Sequence, residues 1–276
     1  MLSDNPNQSH QEGRLSLQLF SVDDHLSQLK RKAESLQKKF ASLVNQSYTA
    51  LKAKPVPADR LQVYITQRCV DKRQSIPLFG QQMSEIISQS THEQIFMLMS
   101  QIGAWNFLDY SLLKDILDEF HVNINSQLDS YSQEVLEFQK KTKLADYLKV
   151  WEIQCLAEER PSCTTLIAKC TGIDYEEITI DEVCQRAKLL AGEFNLHTLC
   201  ASIGGAASGC LYLLWYIPEL VAKHMERIMK SKDRPNLASH GFQQLIIGKM
   251  IFKVNIASCM LEEFLYNKFL IQYVPL

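Results

Sequence analysis

The stretch Thr198-Leu-Cys-Ala-Ser-Ile-Gly-Gly-Ala-Ala-Ser-Gly-Cys-Leu-Tyr-Leu-Leu-Trp-Tyr-Ile-Pro218 carries no charged side chain. Two structures compete for it. A helix of this length would cross a bilayer, and Gly205-Ala-Ala-Ser-Gly209 has the G-x-x-x-G spacing of a membrane dimer. Lys223, Arg227, Lys230, Lys232 and Arg234 follow, as a cytoplasmic flank would. Against the helix, the glycines and serines leave the first half weakly hydrophobic. Cys210 to Ile217, by contrast, is dense in bulky aromatic and aliphatic residues, as a buried strand is. Gly204 and Gly205 through Gly209 also suit a hairpin loop. A soluble β-hairpin is the expectation, with a single-pass membrane anchor through 198–217 as its rival.

Working outward, the hairpin finds matching elements on both sides. Thr164-Thr-Leu-Ile-Ala-Lys-Cys170 is short and β-branched, hence a strand. Thr179 to Phe194 is helical, with Val183, Ala187, Leu190 and Phe194 inward. Leu199 to Ile203 and Gly209 to Ile217 supply the second and third strands. Glu219 to Lys230 is a helix opening after Pro218, and Phe242 to Phe252 reads as a fourth strand. The order βαββαβ predicts a ferredoxin-like sandwich over 161–276, with Asn255 to Phe269 as a closing helix bearing Cys259, Phe264 and Leu265.

An RNA-recognition domain shares that topology and stacks bases on aromatics of its third strand. Tyr212 and Trp215 stand in aromatic places, but three residues apart they point to opposite faces of a strand. The basic and first aromatic positions hold Ser208 and Cys210, and Leu166-Ile-Ala lacks an aromatic partner. These departures argue against nucleic acid as a partner.

The front of the chain has a different period. Leu15, Leu19, Val22, Leu26, Leu29, Ala33, Leu36, Phe40 and Leu43 follow one another at alternating steps of four and three, which is heptad spacing. Lys30, Arg31, Lys32, Lys38 and Lys39 lie off that stripe. Asp23-Asp24 suits a first helical turn, so residues 1–20 are expected to be disordered or extended and 21–54 to form the heptad helix. Pro55-Val-Pro57 ends it. The stripe serves either as a coiled-coil strand or as the first helix of a bundle.

Residues 58–150 read as an α-helical bundle. Asp59 caps a helix with Leu61, Ile65 and Cys69, and Pro77 opens another with Met83, Ile86 and Ile87. Thr91 and Gln94 have capping-box spacing. Leu112, Leu113, Ile116, Leu117 and Phe120 form an apolar stripe, with Asp115, Asp118 and Glu119 outside it. Leu128, Tyr131, Val135 and Phe138 mark the last helix, with Leu144 and Tyr147 following. The stretch Trp105-Asn-Phe-Leu-Asp-Tyr-Ser-Leu-Leu-Lys-Asp-Ile-Leu-Asp-Glu-Phe120, then Tyr131, Leu136, Phe138 and Lys141-Thr-Lys-Leu144, resembles a recurring helical module of large invertebrate proteins. Those proteins often carry death-fold or ankyrin domains beside it. The likeness covers 76–147 and rests mainly on core positions. The module has a glycine after the aromatic at 120, where this chain has His121. The resemblance implies a signalling or recognition protein and carries over no catalytic residue.

Net charge is −2, which gives no general attraction to polyanions, but it is unevenly spread. Residues 1–73 hold 12 Lys+Arg against 7 Asp+Glu, residues 74–160 hold 6 against 13, and residues 161–276 hold 11 of each. A basic front helix is thus able to dock on an acidic middle, within one chain or between two. Met1 to Gly13 is polar and unlike a signal peptide, and the eight cysteines form no C-x-x-C pair. Both fit a reducing, cytoplasmic setting. No H-E-x-x-H, P-loop, G-x-S-x-G or G-x-G-x-x-G occurs. Ser27-x-x-Lys30 and Ser111-x-x-Lys114 lack companion motifs, His197 and Cys200 lie three apart, and His224 and Glu226 fall on different helix faces. The expectation is a mostly helical α+β protein without catalysis, cofactor or metal. It would act as an adaptor or scaffold binding a protein partner or itself, through Leu26, Leu29, Leu36, Phe40 and Leu43.

Overall fold

The computed structural model describes residues 7–68, 91–101, 104–122, 124–155, 163–196, 198–199, 201–207, 211–231 and 235–254. The chain is α+β, with eight α-helices and a five-stranded antiparallel sheet among these residues. The helices expected around Met83, Ile86 and Ile87 and over Asn255 to Phe269 lie outside them.

Helix α1, Asn7–Lys52, is 46 residues long. Residues 7–20, expected to be disordered or extended, are helical. No proline or glycine pair interrupts the repeat there, and Asp23-Asp24 sits inside the helix instead of starting it. In its second half burial recurs at Ala33, Leu36, Phe40, Leu43, Ser47 and Leu51, steps of three and four that keep one face inward. Ser47 tolerates full burial because its hydroxyl donates to Leu43 O at 2.7 Å. The chain turns at Pro55 and Pro57 into α2, Ala58–Arg68. Helices α3 (His92–Gln101), α4 (Ser111–Glu119), α5 (Asn125–Lys141) and α6 (Leu144–Cys155) complete the bundle.

Local chemistry fixes these boundaries. Thr91 and Gln94 make the reciprocal bonds of a capping box, Thr91 N to Gln94 Oε1 at 2.7 Å and Gln94 N to Thr91 Oγ1 at 3.3 Å. Helix α4 buries Leu112, Leu113, Ile116 and Leu117 and stops at Phe120. His121 follows with φ +51°, in the left-handed region, at the position where the resembling module has glycine. Lys54 secures this corner, its Nζ donating to the carbonyls of Phe120 and His121.

The sheet strands are β1 (Cys163–Cys170), β2 (Ser202–Ala207), β3 (Leu211–Pro218), β4 (Phe242–Ile247) and β5 (Met250–Lys253), in the order β2-β3-β1-β4-β5. Helix α7 (Ile180–Glu193) lies between β1 and β2 in sequence, and α8 (Glu219–Lys230) between β3 and β4. Thr179 and Glu182 cap α7 reciprocally. Residues 198–217 therefore contribute two paired strands, with Ile203 opposite Trp215 and Ala207 opposite Tyr212. No described helix is long and apolar enough to cross a membrane. Gly204 and Gly205, expected in the hairpin loop, stand within β2. A Cβ on Gly204 would come within 2.3 Å of Leu214 Cδ2 and 2.5 Å of the Tyr216 ring, so a side chain has no room there. The second strand starts at Ser202 and not at Leu199, because the residues before it bond to the bundle. Asn106 Nδ2 donates to Ala201 O at 3.1 Å, and Thr198 Oγ1 to Asp109 Oδ2 at 2.9 Å. The single strand expected from Phe242 to Phe252 is a hairpin that turns at Gly248, φ +57°.

Bundle and sheet pack against one another across the stretch between residues 150 and 161. One buried cluster runs from Ala33 on α1 to Phe252 on β5. Backbone bonds join the halves, from Leu144 N to Ile178 O at 2.8 Å and from Ile180 N to Thr142 O at 3.0 Å. Gln139 on α5 reaches Cys184 on α7 at 3.6 Å.

Candidate functional site

The basic front helix docks on the acidic middle within one chain. Glu134 on α5 accepts from Lys39 Nζ at 2.7 and 2.8 Å and from Lys32 Nζ at 3.4 Å. Lys39 foremost, and Lys32 with it, holds the Glu134 carboxyl below its usual range. His25 Nε2 lies 3.6 Å from Asp146 on α6, and Tyr48 OH donates to Glu93 on α3 at 3.3 Å. Beneath these pairs, Phe40 stacks on Tyr131 with ring centroids 6.0 Å apart. Tyr131 donates to Phe107 O at 2.7 Å, and burial raises its phenol pKa.

This geometry corrects the expected interaction stripe. Leu36, Phe40 and Leu43 are 0%, 9% and 4% exposed, so they are committed to the chain's own core. Leu29 packs against that core half-buried, and Leu26 is half-buried. Periodicity identified the stripe but said nothing about which surface it meets. Among the described residues, side chains of α1 from His25 to Tyr48 meet α3, α5 and α6. Eighteen helical residues, 7–24, precede them.

The other candidates are accounted for one by one. Ser111 Oγ donates to Asp109 at 2.8 Å in the turn that opens α4, so it serves the fold and not Lys114. Ser27 O accepts from Arg31 Nε at 3.3 Å within α1. His224 is buried, its Nε2–H donating to Phe194 O at 2.9 Å, while Glu226 pairs with Lys230 at 3.4 Å. Burial pushes the His224 pKa below its usual 6.5 and the neighbouring Arg227 adds to this, while the Phe194 bond works against them. Burial likewise raises the Cys170 thiol to about 11 and the Cys184 thiol to about 12, which keeps both protonated and inert. His197 and Cys200 lie outside the described residues. No cluster of three or more His, Cys, Asp or Glu residues suited to a metal occurs among those described.

Tyr212 and Trp215, the two aromatics weighed for base stacking, are both buried. Trp215 is 1% exposed in the main core, and Tyr212 is 5% exposed on the opposite face, with Lys169 Nζ 5.9 Å from its ring centroid. That opposite face is a feature the sequence reading missed. Ile167, Tyr212, Leu214 and Ile246 form a second buried cluster there. The unbroken apolar run Leu211–Ile217 was the signal, since alternate residues of a strand face opposite ways and both sets are apolar. Open surface grooves among the described residues include one over Arg60, Tyr64, Asp115, Asp118, Glu119 and His121 and another over Lys223, Glu226, Arg227, Lys230 and Ser231.

Compared with known proteins, the chain matches no protein family, no curated protein and no solved structure.

Proposed function

We propose that the protein is a non-enzymatic interaction scaffold of the cytoplasm, and that the first half of α1 is the arm by which it associates with a second copy. The observation that carries this is the length of α1. At about 1.5 Å per residue, a helix of 46 residues is roughly 69 Å long, against roughly 26 Å for the 17 residues of α5. No single described helix of the bundle is long enough to flank α1 over its whole length. The heptad repeat nevertheless continues upstream through Leu15, Leu19, Val22 and Leu26. A stripe of this kind is what a second helix packs on. The resemblance of 76–147 to a module of invertebrate signalling proteins supports the same class of function. We read the sheet as a ferredoxin-like sandwich, since βαββαβ with the order β2-β3-β1-β4 is its arrangement, extended here by β5.

The arm has to be tested by point substitution, because deleting α1 would also remove Leu36, Leu43 and Leu51 from the core. Light scattering should find the full chain dimeric or larger and the double variant Leu15→Asp/Leu19→Asp monomeric, with unchanged circular dichroism. A wild-type chain that is monomeric at all concentrations, or a folded variant of unchanged mass, rejects the proposal.

A further inference from the structure

The second face of the sheet poses a question of burial. Register places Thr165, Ile167 and Lys169 of β1 beside Tyr216, Leu214 and Tyr212 of β3, and beside Ile246 and Gln244 of β4. Helices α7 and α8 do not cover this side. Their inward residues Val183, Leu190, Val221, Met225 and Met229 belong to the main cluster with Leu166, Leu213 and Trp215, which point the other way. Among the described residues, the cluster on the second face consists of strand residues. A bare sheet leaves its outward side chains largely open to water. Yet Leu214 is 3% exposed, Ile167 and Ile246 are 7%, and the polar Lys169 and Gln244 are 8% and 5%. Tyr212, Tyr216 and Lys253 each hold further contacts besides.

We propose that residues 255–276 of the same chain are the layer that covers this face. The segment starts at the sheet itself, directly after β5 ends at Lys253, whose register partner Gln244 lies on the face in question. Fourteen of its 22 residues are hydrophobic, from Ile256 to Leu276, enough to match a face of isoleucine, leucine and tyrosine. Five strands spaced about 4.8 Å apart measure roughly 19 Å across, a distance that 22 residues span whether extended or helical. Charge agrees as well. Among the described residues of the face, the buried Lys169 and the exposed Lys253 are both basic, and the segment carries Glu262 and Glu263 against one basic residue, Lys268. A lysine as deeply buried as Lys169 is costly without an anionic or hydrogen-bonding partner. The remaining long segment outside the described residues, 69–90, lies between α2 and α3 in sequence.

The test uses the full chain with Tyr216→p-benzoylphenylalanine, which exchanges one aromatic for another. Tyr216 lies on β3, three strands from β5, so a photo-crosslink to the segment requires it to cross the sheet. Irradiation followed by peptide mass spectrometry should join position 216 to a peptide within 255–276. In a mixture of light and heavy isotope-labelled protein, the joined peptides should carry one label only. A crosslink to any other segment, a mixed-label crosslink showing that a second copy covers the face, or no crosslink at all overturns the proposal. Chemical nitration gives a second reading. Leu261→Asp/Leu265→Asp should speed modification of Tyr212 and Tyr216 several-fold, while Tyr131 in the bundle core stays protected. Unchanged rates at Tyr212 and Tyr216 count against the cover.

Discussion

Leu36 is fully enclosed in the main core, so truncating it removes packing that the neighbours cannot replace. Leu36→Ala should lower the unfolding free energy by about 2–5 kcal/mol in urea titration, whereas Leu15→Ala should change it by less than about 0.5 kcal/mol. The two leucines stand on one sequence stripe, and it is the proposed arm that makes them contrasting cases. His224 carries a pH-dependent contribution of definite sign. Its ring is held neutral by burial below the ordinary 6.5, so the unfolded chain takes up a proton that the folded chain resists. The stability is complete above pH 6.5 and declines as the pH falls toward the folded value. The variant His224→Gln should therefore show a shallower fall in Tm from about pH 7 to about pH 5 than the wild type does. An equally steep fall would assign the pH dependence to other groups.

At the scale of elements, α1 is pinned by a few charged pairs lying over an apolar seam. The Glu134 contribution is present above pH 4.5 and fades as the pH drops and the carboxylate is protonated. Glu134 remains partly open to solvent, so Glu134→Gln should cost no more than about 1 kcal/mol in thermal or urea unfolding. That difference should shrink in about 1 M salt, where screening reaches about 3 Å. A larger, salt-insensitive loss would mean that the seam depends on Glu134 for more than charge. The elements also separate what was legible in the sequence from what was not. Helix α8 was readable in full, because Pro218 and Lys230 bound it and its apolar residues keep a helical period. Strand β1 was readable from its β-branched residues. The boundary between β4 and β5 was missed because Ile247-Gly248-Lys249-Met250 interrupts an apolar run by only two residues. The start of β2 was missed because Thr198 and Ala201 are held by Asp109 and Asn106, contacts between residues some 90 positions apart. Composition encodes local preference, and such distant bonds override it.

Taken whole, the molecule has its bundle and sheet sharing one core, although the change in period near residue 161 reads as a domain boundary. The coarse pattern held, with helices before that point and strands alternating with helices after it. What it lacked was the pair of backbone bonds across that point, Leu144 N–H to Ile178 O and Ile180 N–H to Thr142 O. A shared core predicts a single cooperative transition. Fluorescence from Trp105 in the bundle and Trp215 in the sheet, followed in single-tryptophan variants, should give coincident urea midpoints. Two separated midpoints would restore two independent domains.

The central claim is that α1 is divided, with its second half built into the core and its first half serving association. Leu15→Asp/Leu19→Asp and Leu36→Asp/Leu43→Asp, each compared with the wild type by light scattering and thermal melting, test this most directly. The account predicts that the first pair halves the mass and leaves the melting of the core intact, and that the second pair prevents folding. A folded, fully associated Leu15→Asp/Leu19→Asp protein, or a stable Leu36→Asp/Leu43→Asp protein that has lost only its partner, would contradict it.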